Sequence, residues 1–191
     1  MIKDIGFSAC ENSSFVKTKR MSYTQKGRAK VWDMVEVHDS VAILLYHKNK
    51  NAFVLVKQFR PPVFLHNEDG FTHELCAGIV DKACSLEQIA KEEIDEECGY
   101  DVPLEKIERI SSFYTAVGFA GAKQTLYYCE VDESMKEHDG GGVEVEEIEV
   151  VYLNVKEAEA FILDESKAKT PGIMYAMMWW LKEKRIPQNE I

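Results

Sequence analysis

The chain has 191 residues, 29% of them charged and 46% hydrophobic, with a formal net charge of −10 at pH 7. This is globular composition, long enough for one domain with a substantial core. The acidic balance excludes a general nucleic-acid binder, which needs a basic surface, and no apolar run of about 18 residues marks a membrane span. The five cysteines, Cys10, Cys76, Cys84, Cys98 and Cys129, form no Cys-x-x-Cys pair. They read as free thiols of a reducing compartment, hence cytoplasm, and not as a zinc site. The N-terminal stretch MIKDIGFSACENSSF has no apolar signal-peptide core.

In chain order, Ser14 to Thr24 predicts N-terminal strand structure, and alternating or apolar runs predict strands over Val31–Val37, Val41–His47 and Ala52–Gln58. Asn49-Lys50-Asn51 is a turn. Ser85 with Gln88 forms a capping box that opens a helix running through Glu97, and Gly99 supplies its left-handed C-cap. Leu86, Ile89, Ala90 and Ile94 form the apolar stripe of that helix. Further strands are predicted over Ile107–Tyr114, Gln124–Glu130 and Glu147–Leu153, and Asp139-Gly140-Gly141-Gly142 is predicted to be a flexible stretch. Val155 to Leu163 predicts a second helix. A third is capped by Thr170-Pro171, with Met174, Met177, Met178 and Leu181 on its apolar side, as core or dimer contact.

The run Glu92-Glu93-Ile94-Asp95-Glu96-Glu97 puts five acids in six residues. On a helix Glu93, Glu96 and Glu97 stand at i, i+3 and i+4 and share a face. Each pair repels by roughly 3 kcal/mol before screening at an effective dielectric near 20. A divalent cation held by oxygens reverses that sign, and a solvated acidic face is the alternative. The residues from His73 to Tyr100, HELCAGIVDKACSLEQIAKEEIDEECGY, decide between the two. They resemble the Nudix box, the pyrophosphohydrolase motif: a glycine, five residues, Glu, seven residues, Arg-Glu, an aliphatic residue, any residue, Glu-Glu, any residue, glycine. Gly78, Glu93, Ile94, Glu96, Glu97 and Gly99 keep the spacing. Cys84 stands where the first Glu is expected and Glu92 where Arg is expected. That Arg helps orient a metal-binding carboxylate in the family, so its loss bears on rate and metal affinity.

The resemblance continues through Val31-Trp32-Asp33, His38-Asp39-Ser40-Val41, Val56-Lys57-Gln58-Phe59-Arg60-Pro61-Pro62, Glu74-Leu75-Cys76-Ala77-Gly78 and the stretch from Gly140 to Val151. It is closest to the branch of the family that cleaves nucleoside diphosphate sugars. It implies an α+β fold, the α/β/α sandwich with mixed sheets around a central Nudix helix. Residues 1–36 would be a β extension acting as a dimerisation arm, and residues 37–191 the hydrolase domain. The implied reaction is Mg²⁺-dependent hydrolysis, with Mn²⁺ as a substitute, of UDP-glucose to UMP and glucose 1-phosphate. ADP-ribose hydrolysis and a non-catalytic nucleotide-sugar binding module are the alternatives. Thr115-Ala116-Val117-Gly118-Phe119 lacks the proline that ADP-ribose enzymes of this group place after the box.

The resemblance also implies residue roles. Glu93 and Glu97 would be the main metal ligands, with Glu96 as a third ligand or orienting group and the Ala77 carbonyl completing the shell. Glu144 would be the general base or water-positioning group, and Glu146 would meet a further metal ion. For substrate, Arg60 is the best diphosphate contact, because guanidinium matches phosphate geometry. Pairing of Arg60 with a carboxylate such as Glu74 is the competing role. Lys57 and Lys123 are weaker contacts, and Trp32 would stack on the nucleobase, across a homodimer interface, or belong to the core.

Overall fold

The computed structural model describes residues 2–11, 13, 16–143 and 146–184. The first feature is a ribbon of two long strands, β1 (Lys17–Gln25) and β2 (Arg28–Glu36), paired antiparallel from Lys17–Glu36 to Gln25–Arg28. Its two-residue turn, Lys26-Gly27, has φ of 51° and 73°, the doubly positive geometry whose twist matches a hairpin. The ribbon forms a sheet of its own and joins the body through Val35 N–H to the Phe119 carbonyl (2.8 Å) and Trp32 Nε1–H to the Gly118 carbonyl (2.9 Å).

The body is a seven-stranded mixed sheet. Strand β3 (Ser40–His47) is buried on both faces, as its unbroken apolar run demands, and it pairs in parallel with β8 (Lys123–Val131). Its other edge meets β4 (Ala52–Phe59) only from Leu45–Val54 to His47–Ala52; the two strands then splay apart. Two short strands fill the gap. β5 (Phe71–Glu74) takes the freed edge of β4, and β6 (Cys76–Ile79) takes that of β3, so one nine-residue segment crosses the split. β7 (Glu108–Tyr114) closes the β8 side, and β9 (Ile148–Asn154) the outer edge of β4.

One face of the sheet carries α2 (Leu86–Cys98), with Ile89, Ala90, Ile94 and Cys98 against Val41, Ile43, Leu45, Val54 and Val56. The other face carries α3 (Ala158–Leu163) and α4 (Pro171–Glu183), with Ile162, Ile173, Ala176, Met177 and Trp180 against Ala42, Leu44, Phe53 and Leu55. These layers are the expected α/β/α sandwich. Three features differ from the sequence reading. The strands β5 and β6 and the short helix α1 (Pro61–Asn67) carried too few residues to show a period. Residues 155–157 form a separate 3₁₀ turn before α3. The buried stripe of α4 is Ile173, Ala176, Met177 and Trp180, one residue out of phase with the predicted stripe. Met174 and Met178 therefore lie on the exposed side, because the larger indole of Trp180 fills the sheet face.

At the far end of β3, His47 is fully buried between the rings of Tyr100 and Tyr152, each 5.9 Å away, and its Nδ1 accepts the Lys50 N–H at 3.3 Å. Burial, then the nearby Lys50 charge, holds this imidazole below its ordinary value. The unfolded chain therefore binds a proton near pH 6.5 that the folded chain refuses, and stability present above that pH declines as pH falls towards the folded-state value. Between about pH 7.5 and 5.5, protonation of the unfolded chain at His47 should therefore take stability away, whatever other groups add over the same range. His47→Gln lacks this loss, so its thermal midpoint relative to the parent, measured by calorimetry at each pH, should rise as pH falls through this range.

Candidate active site

The site lies where α2 crosses the split in the sheet. Ser85 caps α2 by accepting the Gln88 N–H at 3.1 Å, and Gly99 ends it at φ 72°. The helix delivers Glu93 and, one turn later, Glu97 to β6. Glu97 is buried among core residues, and its Oε2 accepts the Ala77 N–H at 2.9 Å. That N–H points at Glu97 and not across the ladder to Ala42, and in an extended strand the carbonyl of the same residue follows it to the same edge. The Ala77 carbonyl and the Glu97 carboxylate therefore share one side of β6.

Gly78 admits Glu93. A Cβ built there would lie 2.0 Å from Glu93 Oε1 and 2.1 Å from its Cδ. The glycine is needed for this close approach and not for an unusual φ. Burial, followed by the Glu96 charge, pushes Glu93 up to about 7. Burial pushes Glu97 up to about 8, against the opposing hydrogen bonds from Ala77 and the Cys76 thiol, with Glu93 and Glu146 adding repulsion. Among the described residues no closed group of three acidic, His or Cys ligands is assembled. What is assembled is a half-site: two crowded carboxylates whose charged forms lack compensation, a main-chain carbonyl beside them, and Glu96 and Glu146 in the same field. An all-oxygen donor set of this kind suits a hard divalent cation.

The glycine stretch departs from its predicted flexibility. Gly140, Gly141 and Gly142 have φ of 73°, 113° and 86°, and the segment is tied to the end of α2. Gly141 N–H donates to the Glu97 carbonyl (3.0 Å), Gly142 N–H to the Glu96 carbonyl (3.1 Å), and Glu137 N–H to the Gly99 carbonyl (2.9 Å). Lys136 Nζ reaches the Cys98 carbonyl at 2.8 Å. A Cβ at Gly140 would lie 2.3 Å from the Glu97 carbonyl oxygen. The glycines let two backbones touch, so the carbonyls left over at the helix end find donors. Glu146, whose Oε2 accepts the Val143 N–H at 3.0 Å, is thereby brought within electrostatic range of Glu93 and Glu97. Glu144, the expected base, lies outside the described residues.

Arg60 follows β4 and forms a bidentate pair with the buried Glu74, Nε–Oε1 2.7 Å and Nη2–Oε2 2.8 Å. Glu97 and Glu146 also act on its charge. Lys57 is placed elsewhere. Its cross-strand partner His73 packs on Phe161 of α3, and its Nζ is 3.6 Å from Glu149, so the sheet separates it from the carboxylates of α2. Lys123 opens β8 with an exposed side chain, its N–H donating to Asp39 Oδ1 at 2.8 Å. Trp32 is half exposed on the ribbon, anchored to Gly118. Of the two departures from the box, Cys84 is exposed, and Glu92 turns outward to Lys82 Nζ (2.6 Å) and Gln88 Nε2 (3.0 Å).

A cleft of about 440 Å³ opens on the other side of Ala77, lined by Glu74, Leu75, Phe113, Gln124, Thr170 and Gly172 among others. The sequence reading missed this cleft and the roles of Cys76 and Thr72. The residues come from five separate stretches of chain, and no local period or spacing joins them.

No family profile matches the chain. Individual proteins do. It is 34% identical over 211 residues to the uridine diphosphate glucose pyrophosphatase NUDT14 of Mus musculus, covering 95% of each chain. It is 34% identical over 208 residues to the Bos taurus protein of the same name, covering 94% of each. The GDP-mannose pyrophosphatase of Pectobacterium atrosepticum is 38% identical over 127 residues, 66% of this chain and 64% of that one. Fold, carboxylate site and relatives together define an enzyme that hydrolyses diphosphate bonds. The chain belongs to the Nudix hydrolase family. Membership implies a divalent metal cofactor, and the oxygen donors around Ala77 fit one. No helix among the described residues is long and apolar enough to cross a membrane.

Two outcomes follow from this geometry. Because Glu93 and Glu97 hold protons near neutrality without a cation, Mg²⁺ or Mn²⁺ binding at pH 7 should release between about one and two protons. Metal affinity should rise with pH through 7 to 8. Calorimetry in buffers of different ionisation enthalpy measures both. Gly78→Ala should displace Glu93 and weaken Mn²⁺ binding by about tenfold or more, read by paramagnetic titration.

Proposed function

We propose that this protein hydrolyses nucleoside diphosphate sugars with Mg²⁺ as cofactor, converting UDP-glucose to UMP and glucose 1-phosphate in the cytoplasm. The observation that carries the reading is the packing of the buried Glu97 against Ala77 and of the half-buried Glu93 over Gly78, with both carboxylates pushed to protonate near neutrality. The names of the relatives support the substrate class.

Glu93 and Glu97 would hold Mg²⁺, or Mn²⁺ in its place, with the Ala77 carbonyl and Glu96, and Glu146 would meet a further ion. When bound, such ions neutralise the charge that develops on the attacking and leaving oxygens of a phosphoryl centre. Ala77 N–H fixes one oxygen of Glu97, which leaves the other for the ion. Arg60 would take the diphosphate with the guanidinium edge that Glu74 does not occupy. Glu144 is proposed as the group that orients or deprotonates the attacking water, on the strength of its place in the sequence two residues before Glu146. Trp32, with half its surface exposed, would stack on the nucleobase, and the exposed Lys123 would add positive charge near the cleft. The ribbon, which exposes Met21 and Val31 beside Trp32, would be the arm of a homodimer.

Product analysis tests the reading. Purified protein with UDP-glucose and Mg²⁺ should yield UMP and glucose 1-phosphate, with no turnover in chelator. Glu97→Gln should reduce turnover on the order of a hundredfold or more. GDP-mannose and ADP-ribose run alongside. Faster release of GMP or AMP would change the substrate, and no cleavage of any of them would overturn the assignment.

A further inference from the structure

Arg60 is held more tightly than a phosphate-binding arginine on a surface loop needs to be. Its N–H donates to the Gly70 carbonyl at 2.8 Å, and its own carbonyl accepts the N–H groups of Val63 (2.9 Å) and Phe64 (3.1 Å) as the N-cap of α1. Pro61 and Pro62 fix the chain immediately after it. Gly70 closes the loop at φ 75°, where a Cβ would lie 2.4 Å from the Phe59 ring. The side chain is fixed as firmly by the bidentate pair with Glu74. Glu74 is in turn fixed by the buried Thr72, whose hydroxyl donates to Glu74 Oε1 at 2.5 Å.

The pair is lopsided. Glu74 is 8% exposed, whereas the Arg60 side chain keeps 47% of its surface in solvent. A guanidinium carries five N–H donors in a fixed plane. Two of them go to Glu74, and among the described residues the other three have no hydrogen-bond partner. The anchored edge faces β5, and the charge lies within the field of Glu97 and Glu146. Glu74 lies three residues before Ala77, whose N–H holds Glu97.

We infer that Glu74, braced by Thr72, is a positioning residue that holds Arg60 so that its unpaired edge meets the substrate diphosphate. The inference rests on the diphosphatase reading for the identity of the substrate. It makes the two competing roles of Arg60, ion-pair partner and phosphate ligand, two edges of one side chain. Planar bidentate geometry is what lets one arginine serve both, and a lysine has no second edge to offer.

The test is a double-mutant cycle on Arg60→Ala and Glu74→Gln, with Thr72→Val as the mild variant. The readouts are KM and kcat for UDP-glucose with Mg²⁺, and the Kd of UMP by isothermal titration. Glu74→Gln keeps the shape and removes the charge. It should raise KM and weaken UMP binding about tenfold, with kcat within about twofold of the parent, and Thr72→Val should do the same by about threefold. The double variant should bind no worse than Arg60→Ala alone, since Glu74 acts only through Arg60. Losses that add in the double variant, or parental KM and Kd in both Glu74→Gln and Thr72→Val, would overturn the inference. If the parent binds UMP without cleaving UDP-glucose, the diphosphatase reading falls and the UMP cycle still decides the positioning role.

Discussion

The site depends on one close contact, the packing of Glu93 against a glycine in β6. With no Cβ at Gly78, the helix lies near enough to the strand for Glu93 to fold over it and for Glu97 to reach the Ala77 N–H. The rest of the architecture makes that approach possible. β3 and β4 part after three residue pairs, and the segment from Phe71 to Ile79 crosses the gap. The apolar stripe of α2 seats the helix on the α2 side of the sheet, and the segment from Lys136 to Gly142 clamps its far end. A glycine at each contact, Gly78, Gly99 and Gly140, marks a place where main chain must meet another chain segment without an intervening side chain.

This arrangement works against the stability of the metal-free protein. A carboxylate whose folded-state value is raised favours folding at low pH and disfavours it as pH rises through that value. Glu93 and Glu97 therefore weaken the fold on the alkaline side, Glu97 on the order of a few kcal/mol above pH 8. His47, with its value lowered, weakens the fold on the acid side. The two effects come from opposite ends of the sheet and differ in kind. No cation can help His47, whose Lys50 neighbour already repels a proton. The carboxylates lack only a positive charge, and a bound divalent ion stabilises the fold in proportion to its concentration over its dissociation constant.

How much of this was legible in the sequence varies with the range of the interaction. The α2 helix, its Ser85 and Gly99 caps and its apolar stripe were legible because they are local, set by residues within a few positions of one another. The long strands β3, β4 and β8 were legible for the same reason, each an apolar run bounded by turn residues. β5 and β6 were not, since four residues are too few to show a period and both take their form from the edges they fill. The glycines at 140–142 looked like a flexible stretch because composition records conformational freedom, whereas here that freedom lets three residues adopt positive φ and two of them, Gly141 and Gly142, seat their N–H groups on α2. The phase of α4 was misread because three methionines outvoted one tryptophan. The acids Glu93, Glu96 and Glu97 were legible by spacing. The packing of Glu93 and Glu97 against β6 was not, because it depends on the absence of a side chain in a strand the sequence did not reveal.

The same distinction bears on the two departures from the box. An arginine at position 92 would be expected to orient a metal-binding carboxylate, and Glu92 cannot. Here Glu97 is oriented by the Ala77 N–H, and Glu93 by the space over Gly78, so orientation is supplied by β6. Glu92 has turned out to Lys82, which brings a positive charge within range of Glu93 and Glu96 without entering the site. Cys84 precedes the cap residue and stays exposed. Both departures fall outside the contacts that Glu93 and Glu97 make with β6. Departures there leave the two carboxylates in place on β6, whereas a side chain at Gly78 would displace Glu93.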